Sequence, residues 1–174
     1  NKSYLTSDFY LTKQLKNKLK TEKKYICGIS WISKNDDIGV NKSVNLEILK
    51  PILSIKNIEF LDIQYNDTSC ERDKFNKENG IKISKIESID NFNDLNGLTS
   101  LIDICDFVIT VSNTNAHISG ALGKKTFLLL PKGKGRLWYW SSKNKKSLWY
   151  PSIEVVEQNM IASWETVIRG LVKI

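Results

Sequence analysis

The stretch from Val111 to Gly120, VSNTNAHISG, combines small polar side chains with a histidine at a point where an apolar strand should give way to a helix. The start of a helix exposes unpaired N–H groups and the positive end of the helix dipole, so it can hold a phosphate group. His117, the only histidine, would add an N–H donor in the first turn. Four consecutive residues can cap this helix: Ser112, Asn113, Thr114 and Asn115. The local pattern is compatible with an anion site and with an ordinary helix cap.

A second stretch with possible chemistry is the glycine-rich, basic run Lys132–Arg136, KGKGR, which follows a late strand. It could fold over a diphosphate as a flap, with Lys134 and Arg136 near the ligand, or it could be a solvated loop. No GxGxxG motif follows the first strand and no GxxxxGK[ST] motif occurs. The chain therefore lacks the sequence signatures of dinucleotide-binding dehydrogenases and of P-loop NTPases.

Strands and helices alternate along the chain. Short apolar runs predict strands, and apolar residues at helical spacing predict helices. The predicted strands are 25–30, 58–63, 81–86, 107–111, 126–130 and 153–157. The predicted helices are 7–20, 46–54, 68–79, 93–105, 114–122 and 163–172. Ser7, Asn93 and Ser163 are the expected caps of the first, fourth and last of these helices, and Pro51 is expected to break or kink the second. Loops are predicted at 33–43 and 132–151. This order predicts an α/β fold on a Rossmann-like, doubly wound parallel sheet, whose ligands bind outside the carboxyl ends of the strands.

The composition is that of a folded domain. The chain has 174 residues, of which 41% are hydrophobic, and we divide it into a first helix with a linker, residues 1–22, and a Rossmann-like domain, residues 23–174. No apolar run approaches the roughly 20 residues that span a bilayer, and residues 1–20 do not read as a signal peptide, so we expect a cytoplasmic protein. Three widely spaced cysteines fit neither a disulfide framework nor a zinc site, and Cys27 and Cys105 read as core residues.

Several separated motifs resemble one known family. The run 102–131, IDICDFVITVSNTNAHISGALGKKTFLLLP, resembles the signature of heptosyltransferase-like proteins of glycosyltransferase family 9, especially the version attached to tetratricopeptide repeats. Other matching elements stand in the family's order: the first helix from Tyr4, Gly28–Trp31, Phe60–Tyr65, Trp138–Trp140 and Trp149–Ser152. The resemblance spans essentially the whole chain. It implies the GT-B architecture, in which two Rossmann-like halves enclose the active site, and this chain looks like the C-terminal, donor-binding half.

The resemblance also implies a substrate and roles for individual residues. The substrate would be a nucleoside-diphosphate sugar, and no metal or other cofactor is expected, because a helix N-terminus and side-chain donors stabilise the leaving diphosphate. Trp31 and Ser33 would approach the diphosphate from the loop after the first strand, and Gln64 and the stretch before Asn93 would lie toward the ribose and base. The general base would come from the missing N-terminal half. The residues implied to surround the diphosphate are Ser112, Asn113, Thr114, Asn115 and His117.

Three positions depart from the family pattern. Asn113 stands where the family usually has Asp, Tyr139 replaces an Arg between two tryptophans, and Glu157 replaces an Arg before Gln158. Asn113 can still cap a helix but carries no charge, and a tyrosine cannot make the bidentate contact of an arginine, for which Lys134 or Arg136 would have to substitute. These changes leave three possibilities: an altered donor, altered acceptor contacts, or a catalytically degenerate GT-B-like module that serves as a binding or scaffold domain.

The net charge of +7 is a hint toward an acidic partner. Lys, Ile and Asn are abundant throughout the chain, which is also typical of an AT-rich genome. The basic loop 132–146 contains Trp138, Tyr139 and Trp140, which raises the hypothesis of single-stranded nucleic-acid binding. We rank this hypothesis last, because those aromatic residues stand at family positions expected to pack against the sheet edge or the other domain.

Overall fold

The computed structural model describes residues 3–19, 21–158 and 163–172. Seven α-helices, a 3-10 turn and eight strands lie in these ranges, and the strands form one sheet. The strands are β1 Tyr25–Ser30, β2 Ile58–Asp62, β3 Ile83–Ser84, β4 Phe107–Val111, β5 Lys125–Leu130, β6 Ser142–Lys143, β7 Lys146–Ser147 and β8 Ile153–Glu157. The α-helices are α1 Phe9–Leu19, α2 Gly39–Lys42, α3 Leu46–Leu53, α4 Ser69–Asn79, α5 Leu95–Asp103, α6 Thr114–Ala121 and α7 Trp164–Leu171, and the 3-10 turn is Trp138–Trp140.

The sheet confirms the predicted doubly wound topology. Its order is β3-β2-β1-β4-β5-β8-β7-β6. The first six strands in this order, β3, β2, β1, β4, β5 and β8, pair in parallel. The chain moves outward from β1 to β3 and then crosses back to β4, so the strand order reverses between β1 and β4, where Ser30 lies opposite Thr110. In open α/β sheets a crevice forms at this point, beyond the carboxyl ends of the two strands.

One edge of the sheet differs from the prediction. The segment 132–151 was expected to be a loop, but it contains the 3-10 turn and the antiparallel hairpin β6–β7. The hairpin turns at Asn144 and Lys145, which both have positive φ, 50° and 63°. Such a turn usually carries glycine. Because neither residue is glycine here, the hairpin could not be recognised from the sequence.

Apolar layers cover both faces of the sheet. On β1, Cys27 and Ile29 belong to the layer that contains α3 and α7, whereas Ile26 belongs to the layer with α1 and α5. The alternation follows from the two-residue period of a strand. Leu15 of α1 is buried against α5, so the first helix contributes to the core. The buried positions predicted for Cys27 and Cys105 are confirmed, and both thiols are free.

Several helix boundaries needed correction. Asp8, not Ser7, caps α1 by accepting from Leu11 N at 2.9 Å, because the Ser7 hydroxyl donates to Asp103 instead. Asp94, not Asn93, caps α5 through Gly97 N at 2.8 Å, because the Asn93 amide donates to Asp90.

Two further expectations concern the segment 33–54. The predicted loop at 33–43 contains the short helix α2. The helix expected to be broken or kinked at Pro51 is not broken there, because α3 continues through Pro51 to Leu53. Pro51 has no N–H to donate to the carbonyl of Glu47, an exposed residue. None of the helices in the described ranges is long and apolar enough to cross a membrane.

Gly120 gives a test of the packing beside α6. A Cβ at this position would overlap the ring of Tyr150. We expect Gly120→Ala to lower the free energy of unfolding by about 1–3 kcal/mol, the usual effect of overpacking. Gly170 in α7 is the matched control, because a Cβ there meets nothing within 4 Å, and Gly170→Ala should raise stability by about 0.5–1 kcal/mol. Urea denaturation measures both, and a Gly120→Ala protein as stable as the unmodified chain would contradict the packing.

Candidate functional site

A cleft of about 710 Å³ opens where the strand order reverses. Its wall comes from the segments that follow three neighbouring strands: 33–35 after β1, 65–66 after β2 and 112–115 after β4. Much of the remaining wall is formed by residues 91–92, which precede α5, and by Lys42, His117 and Tyr139. The parallel sheet thus brings distant parts of the sequence to one edge, as the topology requires.

Gln64 holds the first two of these segments together. Its Oε1 accepts three hydrogen bonds, from Ser30 Oγ at 2.9 Å, Trp31 N at 3.0 Å and Ile32 N at 2.9 Å. Its Nε2 donates to the carbonyls of Ile32 and Tyr65, both at 3.1 Å. The side chain is fully buried. Gln64 therefore completes the backbone hydrogen bonding beyond the end of β1 and lies behind the cleft wall.

Asn113 attaches the third segment to the same network. Its Nδ2 donates to Ser30 Oγ at 2.7 Å and to the Ile32 carbonyl at 3.2 Å. Its Oδ1 accepts from Asn115 N at 3.0 Å, which caps α6 as predicted. Both ends of the amide are in use, and a carboxylate at this position could only accept. The geometry therefore requires the amide that the sequence has here.

The N-terminus of α6 faces the cleft. Asn113 satisfies the amides of Asn115 and Ala116 through its side chain and its carbonyl, whereas the amide of Thr114, the first helical residue, makes no hydrogen bond within the described part of the chain. Thr114 is exposed and lines the cleft. A free amide, a hydroxyl and the positive end of the helix dipole therefore meet at this point, an arrangement that suits an anion.

Lys42 is a site residue that the sequence analysis missed. It ends α2, lines the cleft, and is only 5% exposed. No carboxylate among the described residues forms an ion pair with it, and burial lowers the pKa of its ammonium group. Lys42 Nζ is not among the buried side-chain atoms that lack a hydrogen-bond partner, so the burial concerns mainly the aliphatic part of the side chain. Lys42 therefore supplies an unmatched positive charge to the cleft.

His117 is held by a cluster of aromatic side chains. Its ring stacks on Trp140 with 4.7 Å between centroids, and its Nδ1 lies 3.1 Å from the Tyr150 hydroxyl. Burial lowers the pKa of His117, so the imidazole is neutral at neutral pH. Burial, with Tyr4 nearby, raises the pKa of Tyr150 to about 12. The protonated Tyr150 can donate to Nδ1, which leaves Nε2 to carry the N–H.

Six of the residues predicted for the site line the cleft, namely Ser33, Ser112, Asn113, Thr114, Asn115 and His117. The other four lie elsewhere. Trp31 is buried in the core beneath α3 and, like Gln64, does not line the cleft. Lys134 is exposed, and Arg136 Nη2 pairs with Glu157 Oε1 at 2.9 Å. The two departures from the family pattern at positions 139 and 157 therefore lie in different places. Tyr139 lines the cleft, whereas Glu157 pairs with Arg136 in the basic segment 132–136.

The charges of the cleft wall have one sign. The residues that line it include Lys34 and Lys42 but no Asp or Glu. Within the ranges that the structure describes, no three His, Cys, Asp or Glu side chains are grouped so that they could hold a metal ion. The wall offers cationic, hydroxyl and amide groups, a set that suits an anionic ligand with polar substituents.

Comparison with known proteins places the fold. No family model and no curated protein matches the chain. Similar solved structures include a glycosyl transferase family 9 protein from Veillonella parvula DSM 2008, with a TM-score of 0.61 and 11% identity over 89% of this chain. The E. coli heptosyltransferase WaaC with ADP has a TM-score of 0.57 and 12% identity over 97%. This chain has a GT-B glycosyltransferase-like fold.

The extent of the match differs between the similar structures. The chain spans 42% of the Veillonella protein and 50% of WaaC, about half of each. By contrast it covers 83% of a structure of the C-terminal domain of a glycosyl transferase group 1 family protein, LpcC, from Francisella tularensis, with a TM-score of 0.57 and 16% identity over 97% of this chain. At these identities the likeness concerns the fold alone.

Asn113 gives a test of the network at the cleft. We expect Asn113→Asp to lower the free energy of unfolding by about 1–3 kcal/mol, because a carboxylate cannot donate to Ser30 Oγ or to the Ile32 carbonyl. Asn57→Asp makes the same chemical change at an exposed position and should have little effect. Thermal and urea denaturation of the two variants compare them, and equal stabilities would show that the Asn113 amide does not hold the strand ends together.

Proposed function

We propose that the chain binds the nucleoside-diphosphate sugar donor of a glycosyltransferase, with the diphosphate at the N-terminus of α6. The observation that carries the proposal is that Lys42, which forms no ion pair with a carboxylate of the described residues, lines the same cleft as the free amide of Thr114. Each feature alone has ordinary explanations. Together they supply a full positive charge and a dipole to one site without a carboxylate in the wall, which matches the needs of a diphosphate.

The other groups of the wall fit roles around this anion. Ser33 and Ser112 bring hydroxyls from the ends of β1 and β4, although Ser112 Oγ already accepts from Trp140 Nε1 at 2.7 Å. His117 Nε2 can donate to a phosphate oxygen, since Nδ1 is engaged by Tyr150. During sugar transfer these donors would stabilise the charge that develops on the leaving diphosphate, with no metal required.

Catalysis needs a group that this cleft does not offer. An acceptor hydroxyl must lose a proton to a general base, and no Asp or Glu lines the cleft. We propose that the base comes from the N-terminal half of a GT-B enzyme, because the chain spans about half of the first two similar structures. The tetratricopeptide repeats and the cytoplasmic location stay predictions from the sequence.

A second candidate function is a catalytically degenerate module that binds or scaffolds other partners. The position of Asn113 favours it, because both ends of that amide are used to hold the fold. An N-terminal half with an Asp or Glu facing Lys42 and Thr114 would argue against this alternative. Of the aromatic residues invoked for nucleic-acid binding, Trp140 is fully buried against His117, whereas Trp138 is exposed. That hypothesis stays a prediction from the sequence.

Nucleotide titration tests the donor site directly. The 174-residue chain should bind at least one of ADP, GDP and UDP at about millimolar concentration or better, and Lys42→Met should weaken that binding by about 10- to 100-fold, the usual effect of losing a hydrogen bond from a charged group. Lys50→Met, which removes an exposed lysine of α3, is the control. Calorimetry measures the affinities. Absence of binding to all three nucleotides, or equal affinities of the two variants, would refute the site.

A pH series tests the role of His117. Its pKa is lowered in the free protein because the ring is buried, and a bound phosphate would raise the pKa again, so binding takes up a proton. Affinity gained through His117 should therefore increase as pH falls from about 8 to about 6. The nucleotide's own phosphate also titrates near this range, so the measured quantity is the affinity ratio of the unmodified chain to His117→Gln. A ratio that does not change with pH would show that His117 takes up no proton on binding, and equal affinities of the two proteins at every pH would exclude the contact.

A further inference from the structure

Residues 3–8, which we call the N-terminal strap, lie against the carboxyl end of α6 before α1 begins. The strap has no helical or strand structure, yet the amides of Tyr4 and Leu5 both donate to the Ala121 carbonyl, at 3.1 and 3.2 Å. Ala121 is the last residue of α6, and the final carbonyls of a helix have no partner within it. Backbone hydrogen bonds therefore fix the strap on the helix that carries His117.

Side chains anchor the strap at two further points. Leu5 packs against the apolar layer that contains α1 and α5. Ser7 donates to one carboxylate oxygen of Asp103, and Lys124 Nζ pairs with the other at 2.9 Å. Asp103 ends α5, and Lys124 lies between α6 and β5. The strap is therefore fastened to α5 as well as to α6.

Tyr4 leads from the strap to the histidine of the cleft. Its ring stacks on Tyr150, with 6.3 Å between centroids and 23° between ring planes. Tyr150 lies directly against Gly120, where a Cβ would overlap its ring, and its hydroxyl lies 3.1 Å from His117 Nδ1. Residues 117 and 120 are neighbours on one face of α6. The contacts thus begin and end on the same helix, with Tyr150 touching both Tyr4 and α6.

The segment that carries Tyr150 is weakly held by its own contacts. It follows the hairpin β6–β7, and Leu148 and Trp149 are 64% and 63% exposed. The Tyr150 amide makes only a long hydrogen bond, of 3.4 Å, to Ser147 Oγ. Trp140 contacts the Tyr150 ring at 6.1 Å between centroids, but it belongs to the same part of the chain. The strap adds a contact that is fixed independently of the hairpin, and this contact limits the freedom of the Tyr150 side chain.

We infer that Tyr4 is a positioning residue, whose ring keeps the Tyr150 hydroxyl at His117 Nδ1 and so keeps the imidazole proton on Nε2, the nitrogen left for the diphosphate. The inference rests on the proposed function for the identity of the ligand, whereas the contacts themselves exist in the free chain. Without the hydroxyl, a neutral imidazole can carry its proton on either nitrogen. Molecules with the proton on Nδ1 present an acceptor to the phosphate, which weakens binding.

Nitrogen NMR of the imidazole tests the contact without a ligand. His117 is the only histidine, so at a pH of about 8, where it is neutral, spectra of the untagged chain report on it alone. Tyr150→Phe keeps the ring but removes the hydroxyl, and should move the Nδ1 signal because that nitrogen loses a hydrogen bond. Tyr4→Ala should move the signal in the same direction. Tyr10→Ala, which removes a ring of α1 that is 77% exposed, is the control and should leave the signal in place.

The spectra overturn the inference if Tyr4→Ala leaves the Nδ1 signal at its position in the unmodified chain. This result would count whether or not the chain binds a nucleotide. Tyr4 is itself 72% exposed, so its replacement should not prevent folding.

A double-mutant cycle tests whether Tyr4 acts through His117. Tyr4→Ala should weaken binding of whichever of ADP, GDP and UDP the chain binds by about 3- to 10-fold, the usual effect of one hydrogen bond. In the His117→Gln chain the same substitution should change the affinity little. Equal losses in both backgrounds would show that Tyr4 merely supports the cleft, and would overturn the inference but leave the proposed function intact. Binding of none of the three nucleotides would overturn the proposed function, and the NMR spectra would then decide the inference.

Discussion

The cleft depends on one hydroxyl group, that of Ser30 at the end of β1. Ser30 Oγ accepts from Asn113 Nδ2 at 2.7 Å and donates to Gln64 Oε1 at 2.9 Å. It thereby joins the ends of three parallel strands at the point where the strand order reverses. Parallel strands need separate partners for the backbone groups beyond their last paired residues, and here two amide side chains provide them. The position of the α6 N-terminus relative to the loops after β1 and β2 follows from this network.

The saturated network contrasts with the groups that face the cleft. Gln64 and Asn113 use both ends of their amides, whereas Lys42 lacks a counter-charge and Asn91 and Asn115 each leave an oxygen unpaired. Unpaired buried groups reduce stability, and a fold tolerates them where the surrounding structure is well determined. The contrast supports the proposed binding surface independently of similar proteins, because polar groups are paired just behind the cleft and left unpaired along its wall.

The sequence predicted the sheet better than the site. Strands β1 and β4 were predicted to the residue, since a short buried apolar run is a local signal. The caps of α1 and α5 were each displaced by one residue, because neighbouring residues have similar capping chemistry and contacts such as Ser7 with Asp103 decide between them. Residue type cannot tell whether a polar side chain at a strand end binds a ligand or the backbone, which is why Gln64 was assigned to the ribose. Lys42 could not be found in a chain rich in lysine, because only burial distinguishes it.

Asn113 decides how the departures from the family pattern should be understood. If Asn113 were only an uncharged replacement for the Asp that the resemblance implies, its side chain would be expected to make no hydrogen bonds or to face solvent. Instead Nδ2 donates to two oxygens that a carboxylate would repel or could not serve, Ser30 Oγ and the Ile32 carbonyl. The amide is therefore matched by its surroundings, and the N-terminus of α6 is capped and open to the cleft. Asn113 is therefore part of the scaffold of the cleft, and the groups that this scaffold leaves open to a ligand are those of Thr114 and Lys42.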